Sequence, residues 1–191
     1  MPSPRPATAV DSREAIGLAL EALHAESVAY WDSIPTAEFL KPIGDAWSPA
    51  DNVRHLSKSM GAVTRGLRLP TFVVRLSFGG STGESHSYDE IRERYRAALG
   101  SGVSAGAFAP APRQTAPSPD AERAHIMSRH AAALQALVES IGLWSERQLD
   151  RCQLPHPLLG PLTVHEMLFF TLYHNRHHLD GVRRRRGDVS A

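Results

Sequence analysis

Two histidines, His174 and His178, stand four residues apart near the end of the chain. If this segment is helical, a rotation of about 100° per residue leaves the two side chains about 40° apart in direction. An imidazole pair with this spacing can bind one metal ion from a single helical face. The alternative is that both rings pack in the core, where each needs a hydrogen-bonding partner or costs roughly 1–3 kcal/mol.

The face that carries this pair is otherwise apolar or small, which places both imidazoles in a buried stripe. Its other members are Val164, Met167, Thr171 and Val182. A third candidate ligand, His55, belongs to an earlier predicted helix and projects about 110° from the centre of that helix's apolar seam. His55 should therefore lie at the flank of the core, near the mouth of a cleft. The alternative for His55 is a half-exposed surface histidine.

Three neutral imidazoles would leave at least one coordination position open for water or substrate, whereas a closed structural site uses four protein ligands. An ion in an open site can lower the pKa of a bound water or thiol and can polarise a carbonyl. Imidazole suits zinc, nickel, copper or iron, and the sequence does not choose among them. Asn175 stands where the HExxH motif of metalloproteases has its catalytic glutamate, so peptidase chemistry of that type is not supported. His130 is a possible additional ligand at a level that could face His174, although a core or ligand-orienting role is favoured, and His24 is a weaker candidate of the same kind.

Four long helices are predicted to position these residues. Each begins at a side chain that can accept a hydrogen bond from the first helical turn. The predicted starts are Asp11, Ser48, Ser118 and Thr163. Pro35 and Pro70 end the first two helices, and the last helix runs to about Arg185. Between the third and fourth helices, the prolines of residues 150–161 favour a loop and exclude a helix.

The connection between the second and third long helices spans about 50 residues, long enough for a crossover that lets those two helices run parallel. Within it, residues 72–78 could be extended or a short helix, and residues 88–99 are predicted to be helical. Residues 100–118, rich in Gly, Ala, Ser and Pro, are predicted to be a flexible loop. We therefore predict an all-α, up-down-down-up four-helix bundle with a long crossover between helices 2 and 3. In this topology the start of the second long helix lies beside the end of the fourth.

Composition limits the classes of protein that this chain can represent. Its 191 residues suit one domain, which we place at residues 11–186 after a disordered tail at residues 1–10. A net charge of +1 argues against a protein built mainly to hold nucleic acid. The single cysteine, Cys152, excludes an intrachain disulfide. No membrane-spanning run or hydrophobic signal region is present, so we expect a cytoplasmic protein.

Several short motifs resemble the DinB/YfiT-like superfamily of metal-dependent enzymes. They are residues 47–49 (WSP), 52–56 (NVRHL) and 156–163 (HPLLGPLT), followed by His174 and His178. The resemblance spans roughly residues 11–185 and implies that His55, His174 and His178 bind the metal. It also implies that the metal activates a low-molecular-weight thiol for transfer or isomerisation, as in some family members, or supports hydrolysis, as proposed for others. Segment 70–118 departs from the more compact members, which leaves the substrate open.

Two hypotheses follow for function. The first is an enzyme that uses zinc or nickel to activate a low-molecular-weight thiol or water against a small electrophilic substrate, as a thiol S-transferase or a hydrolase. The alternative is a non-catalytic metal-binding or stress-response helical module. The arginine run at residues 183–186 suggests a nucleic-acid contact, but solvated cations at a helix C-terminus explain it better. Family likeness further suggests a homodimer.

Overall fold

Helices dominate the computed structural model, which describes residues 11–100, 106–113 and 116–188. In chain order the α-helices are α1 (Arg13–Ser33), α2 (Thr36–Leu40), α3 (Pro49–Leu67), α4 (Thr71–Phe78), α5 (Tyr88–Gly100), α6 (Pro119–Ile141), α7 (Glu146–Arg151) and α8 (Val164–Arg186). Strands β1 (Gln153–His156) and β2 (Gly160–Thr163) pair antiparallel between α7 and α8. The predicted tail, residues 1–10, lies outside the described residues. Within the described part of the chain, no helix is both long and apolar enough to cross a bilayer.

Three of the four predicted helix caps form as expected. The side-chain oxygens of Ser48, Ser118 and Thr163 each accept a hydrogen bond from the backbone N–H three residues later, at 3.0–3.1 Å. The cap predicted at Asp11 was wrong, because Ser12 takes that place and accepts from the N–H of Ala15 at 3.1 Å. Long-range contacts hold this start: the N–H of Arg13, the first residue of α1, donates to Oε1 of Glu146 at 2.8 Å.

The crossover makes α3 and α6 run parallel. Ser57 of α3 contacts His130 of α6, and Arg68 just after α3 contacts Ser140 of α6, so the two helices advance together. Helix α1 runs opposite to α6, because Arg123 near the start of α6 donates to the carbonyl of Trp31 at the end of α1. If α1 points up, then α3 and α6 both point down.

Helix α8 runs parallel to α1 and antiparallel to α3. Arg183 pairs with Glu26 of α1 at 2.7 Å, and Asp188 beyond α8 accepts from the hydroxyl of Tyr30 four residues further along α1. The up-down-down-up topology predicted from the length of the connection is therefore confirmed. Two of the four arginines at residues 183–186 are engaged in this packing, since Arg186 pairs with Glu38.

The core lies between the four long helices and contains two fully buried indoles, Trp31 and Trp144. Nε1 of Trp144 donates to the carbonyl of Leu67 at 2.8 Å, which joins the ends of α3 and α6. The short helix α2 was not predicted, because five residues carry too little periodicity to be recognised. Its one buried residue, Phe39, belongs to the same core.

Residues 150–161 are more regular than the predicted loop. Helix α7 reaches Arg151, and a hairpin follows in which Pro155 and Pro161 stand opposite each other. A two-stranded hairpin tolerates proline because neither strand needs a second neighbour. Leu154 and Leu162 point to the core and are buried. The hairpin therefore anchors the start of α8.

The crossover packs against several parts of the domain, with α4 in contact with β1 and α5 in contact with α8. Residues 71–78 form the short helix that was one of two predicted alternatives, and the predicted helix at residues 88–99 is present as α5. In the described part of the predicted flexible loop, a 3₁₀ turn at Gly106–Phe108 lies over α3. Nζ of Lys58 donates to the carbonyl of Ala107 at 2.5 Å, and Arg54 donates to the carbonyl of Ala111 at 2.7 Å.

Candidate metal centre

Three imidazole rings converge where the start of α3 meets the end of α8. Nε2 of His174 lies 3.1 Å from Nε2 of His55 and 3.1 Å from Nε2 of His178. Ligands bound to one ion at about 2.0–2.1 Å are roughly 3.0–3.4 Å apart, so this spacing fits a shared cation. Within the described residues these three form the one group of side chains placed to hold a metal, with ligand atoms within 4.8 Å of one another.

The helix directions explain this convergence. His174 and His178 are one turn apart on α8 and face the same side. Because α3 runs antiparallel to α8, its first two turns lie beside the last turns of α8, which brings His55 to the pair although 119 residues separate it from His174. The spacing of His174 and His178 in the sequence is enough to bring those two rings together, whereas His55 joins them only because of the crossover.

Hydrogen bonds at the other ring nitrogens fix the orientation of two of the three rings. Nδ1 of His55 donates to the carbonyl of Phe108 at 2.9 Å, since a carbonyl can only accept. Nδ1 of His178 lies 2.7 Å from Oδ1 of Asn52, whose Nδ2 donates to the carbonyl of Ser48 at 2.9 Å. The protons therefore sit on Nδ1 of both histidines, and their Nε2 lone pairs face the centre, as in metal-ligating histidines.

Burial favours the neutral form of all three rings. Desolvation lowers the pKa of His55, and desolvation with the neighbouring imidazoles holds the pKa values of His174 and His178 well below their usual range. Neutral imidazole is the form that binds metal. Two lone pairs directed at Nε2 of His174 cannot both be satisfied by the single proton that this atom can carry, whereas a cation at the centre satisfies all three nitrogens.

His55 is more deeply buried than the sequence predicted. The helical pattern placed it at the flank of the core, near a cleft mouth, and the residue does line the cleft. At 5% exposure, however, it is not the half-exposed histidine of the alternative. Trp47 covers one side of the ring with centroids 5.2 Å apart, and Phe108 of the 3₁₀ turn covers another. The burial of His55 comes partly from a segment far away in the sequence, which the helical pattern of α3 cannot reveal.

The two additional histidine candidates lie elsewhere. Nδ1 of His130 is 3.1 Å from the hydroxyl of Ser57, and its ring contacts that of His24 with centroids 5.2 Å apart. Burial lowers the pKa of His130 to about 3, so the ring is neutral in the core. Neither His130 nor His24 belongs to the group that can hold the ion.

A cleft of about 890 Å³ opens onto the three histidines. This volume is in the range of pockets that enclose whole small molecules. Its walls come from α3, α4, α5, the 3₁₀ turn, the hairpin and α8, and most of the side chains are apolar. The apolar lining includes Val63, Leu154, Leu158, Met167 and Phe170. The candidate metal centre therefore sits in a largely apolar cleft.

Two further residues of the cleft wall were not assigned a role from the sequence. Nδ1 of His156 accepts from the N–H groups of Leu158 and Leu159 at 3.2 and 3.0 Å, which leaves Nε2–H as a donor. Burial lowers the pKa of His156 to about 4 and raises that of Tyr95 to about 12, so both groups stay neutral. The Tyr95 ring lies 5.8 Å from that of His174 between centroids.

Asn52, which orients His178, was likewise not assigned a role. Its signal in the sequence is its position three residues before His55, on a neighbouring face of the same helix. His156 was recognised only as part of a family-like motif, because the tautomer depends on a backbone turn that sequence spacing does not reveal.

Comparison with known proteins places this geometry in context. A search of curated proteins finds no match. The solved structure of the four-helix bundle protein TT2238 is similar with a TM-score of 0.57 at 18% identity, over 91% of this chain and 99% of that one. YfiT from Bacillus subtilis, described as a probable metal-dependent hydrolase with an unusual four-helix bundle topology, is similar with a TM-score of 0.51 at 18% identity, over 97% of this chain and 93% of that one. At this identity the two likenesses show the fold. The sequence model of the DinB superfamily matches residues 19–180, and the chain therefore belongs to the DinB superfamily.

Proposed function

We propose that this protein is a divalent-metal-dependent enzyme in which His55, His174 and His178 hold a zinc or nickel ion. The observation that carries the proposal is the convergence of three imidazoles on the wall of an apolar cleft, with Nε2 of His174 3.1 Å from Nε2 of each of the other two. When bound there, such an ion would lower the pKa of a water or thiol and polarise a carbonyl oxygen. Three protein ligands would leave a position for that water, thiol or substrate.

The residues around the centre prepare the site for this role. Asn52 and the carbonyl of Phe108 hold two rings with their lone pairs inward, so the ligands need no rearrangement to bind. Once a substrate fills the cleft, the apolar walls would keep water away from it and so strengthen electrostatic interactions inside the cleft. His156 and Tyr95 would donate hydrogen bonds to an oxygen of the substrate without carrying charge.

The reaction that we favour is attack by a low-molecular-weight thiol or by water on a small electrophilic substrate, catalysed as a thiol S-transfer or a hydrolysis. Membership of the DinB superfamily supports metal dependence, and the description of Bacillus subtilis YfiT as a probable metal-dependent hydrolase supports the second reaction. The cleft favours an enzyme over a non-catalytic metal-binding or stress-response module, because an ion held for structure alone needs no substrate-sized space beside it.

Metal analysis and activity measurements on the full chain test the proposal together. The purified protein should bind about one zinc or nickel ion, and metal-loaded protein should turn over members of a panel of thiol-transfer and ester or amide substrates. The variant His178→Ala should lose both the metal and the turnover, while His125→Ala, which removes an exposed histidine on α6, should keep both. Metal binding without turnover over the whole panel would support the non-catalytic module instead, and absence of bound metal would refute both.

A further inference from the structure

Arg65 is the one permanently charged side chain among the described residues that line the cleft. The rest of the lining, apart from the histidines, Tyr95 and Ser59, is apolar or glycine, and no carboxylate faces the cleft within the described part of the chain. Arg65 is therefore the one place on the described lining where a ligand could meet a permanent opposite charge.

The guanidinium of Arg65 has no hydrogen bond or ion pair to another described residue. Some other arginines of the bundle are engaged: Arg176 forms a bidentate pair with Glu26 at 2.7–2.8 Å, and Arg123 donates to the carbonyls of Ile34 and Trp31. Arg65 is exposed, so its charge is hydrated in the free protein. Its five N–H donors are therefore available to a ligand.

The position of Arg65 sets a distance from the metal centre. Its side chain folds back towards the start of α3, with Nη1 3.7 Å from where a Cβ would stand at Gly61. Gly61 lies six residues after His55, which corresponds to about 9 Å along the axis of α3. Between these levels α3 presents Ser59 to the cleft, and beyond them Val63, Gly66 and Leu69 continue the lining.

We propose that the cleft binds an elongated, largely apolar molecule that carries one carboxylate, with the carboxylate on Arg65 and the opposite end, which bears the electrophilic group, at the three histidines. This inference rests on the proposed function and names the class of its substrate. The apolar walls bury the hydrocarbon part, and Arg65 pairs with the carboxylate at the open side of the cleft. A neutral molecule of the same length would bury the same surface and lose the ion pair.

Isothermal titration calorimetry with octanoate and octan-1-ol tests this selectivity on the zinc-loaded full chain. The wild type should bind octanoate about three- to tenfold more tightly than octanol, as expected for a partly exposed charge-assisted contact. Arg65→Gln should remove this preference by weakening octanoate binding alone, and Arg65→Lys should keep part of it. The matched control Arg129→Gln, which removes an exposed arginine of α6 outside the cleft, should leave both dissociation constants unchanged.

Three results would overturn the inference. They are equal binding of the two probes by the wild type, no binding of either probe, and an octanoate preference that survives in Arg65→Gln. The last result would place the carboxylate on the metal, and the preference would then disappear after treatment with a chelator. Because these measurements need no turnover, they separate the two proposals. An Arg65-dependent preference without metal-dependent activity would refute the enzyme alone, whereas activity without the preference would refute the substrate class alone.

Discussion

Replacing His174 by alanine should abolish metal binding and leave a folded bundle. In the metal-free protein two effects of the change oppose each other. Removing a ring that is 3% exposed leaves a cavity, which costs about 2–4 kcal/mol. The change also removes a buried Nδ1 that has no partner within the described residues, which returns about 1–3 kcal/mol. The net loss should be about 1 kcal/mol, or about 2–4 °C in Tm.

The metal separates the variant from the wild type far more clearly. At a free zinc concentration a hundred times the Kd, binding stabilises the folded wild type by about 2.7 kcal/mol, which corresponds to about 5–10 °C. The His174→Ala variant has lost the central ligand and should gain almost nothing. Differential scanning calorimetry of each protein, with zinc and after chelation, measures both differences.

His125→Ala is the control for loss of a histidine outside the centre, and its Tm should rise with zinc as in the wild type. Equal stabilisation of His174→Ala and the wild type by zinc would refute this prediction, because the ion would then be held elsewhere. A chelated variant that is unfolded at room temperature would also refute it, because the ring would then be a main support of the core.

Three further predictions concern single side chains. Asn52→Leu removes the acceptor of the His178 Nδ1–H, and zinc affinity should fall about ten- to a hundredfold in competition with a chelator; an unchanged affinity would show that the ring is oriented by other contacts. Because burial lowers the pKa of His130 to about 3, its contribution to stability is complete above about pH 6.5 and is lost by up to about 1.4 kcal/mol per pH unit as the pH falls towards 3. In urea unfolding from pH 7 to 4, the fall in stability with falling pH should be smaller for His130→Leu than for the wild type, because only the other buried histidines still contribute to it. An identical slope in the two proteins would contradict this prediction. Hydrogen bonds from Arg176 and Arg183 lower the pKa of Glu26 to about 2, so Glu26→Gln should cost less than about 1 kcal/mol at pH 7 for this partly exposed pair. That difference should disappear as the pH falls from about 4.5 to 2. Thermal unfolding at pH 7 and pH 2.5 measures it, and a difference that persists at pH 2.5 would contradict the prediction.

The four-helix bundle could be predicted from the sequence because local and global signals agree in its long helices. Ser48, Ser118 and Thr163 cap helices through contacts three residues away, which sequence spacing expresses directly. The parallel pairing of α3 and α6 followed from the length of the crossover alone, since a short connection would have forced them antiparallel. Where distant contacts decide, as at Arg13 and the start of α1, prediction missed by a residue.

The candidate site was predictable in its ligands and less so in its surroundings. The spacing of His174 and His178 is a local property of one helix, whereas the burial of His55 depends on Phe108, which is 53 residues away in the chain. The hairpin that positions His156 was also missed. Its prolines argued against a helix without indicating a strand, because proline fits both a turn and an edge strand.

The topology also sets when the centre can form. His55 is synthesised more than a hundred residues before the two histidines that complete its ring cluster, and domains assemble roughly in the order in which the chain emerges. Until α8 emerges, a nascent chain offers an incoming ion only one of the three imidazoles of the centre, and a lone imidazole is a weak monodentate ligand. Tight binding of the cation should therefore come only with the docking of α8. An unfinished chain would bind the ion weakly, and a bound ion would indicate that the bundle has closed.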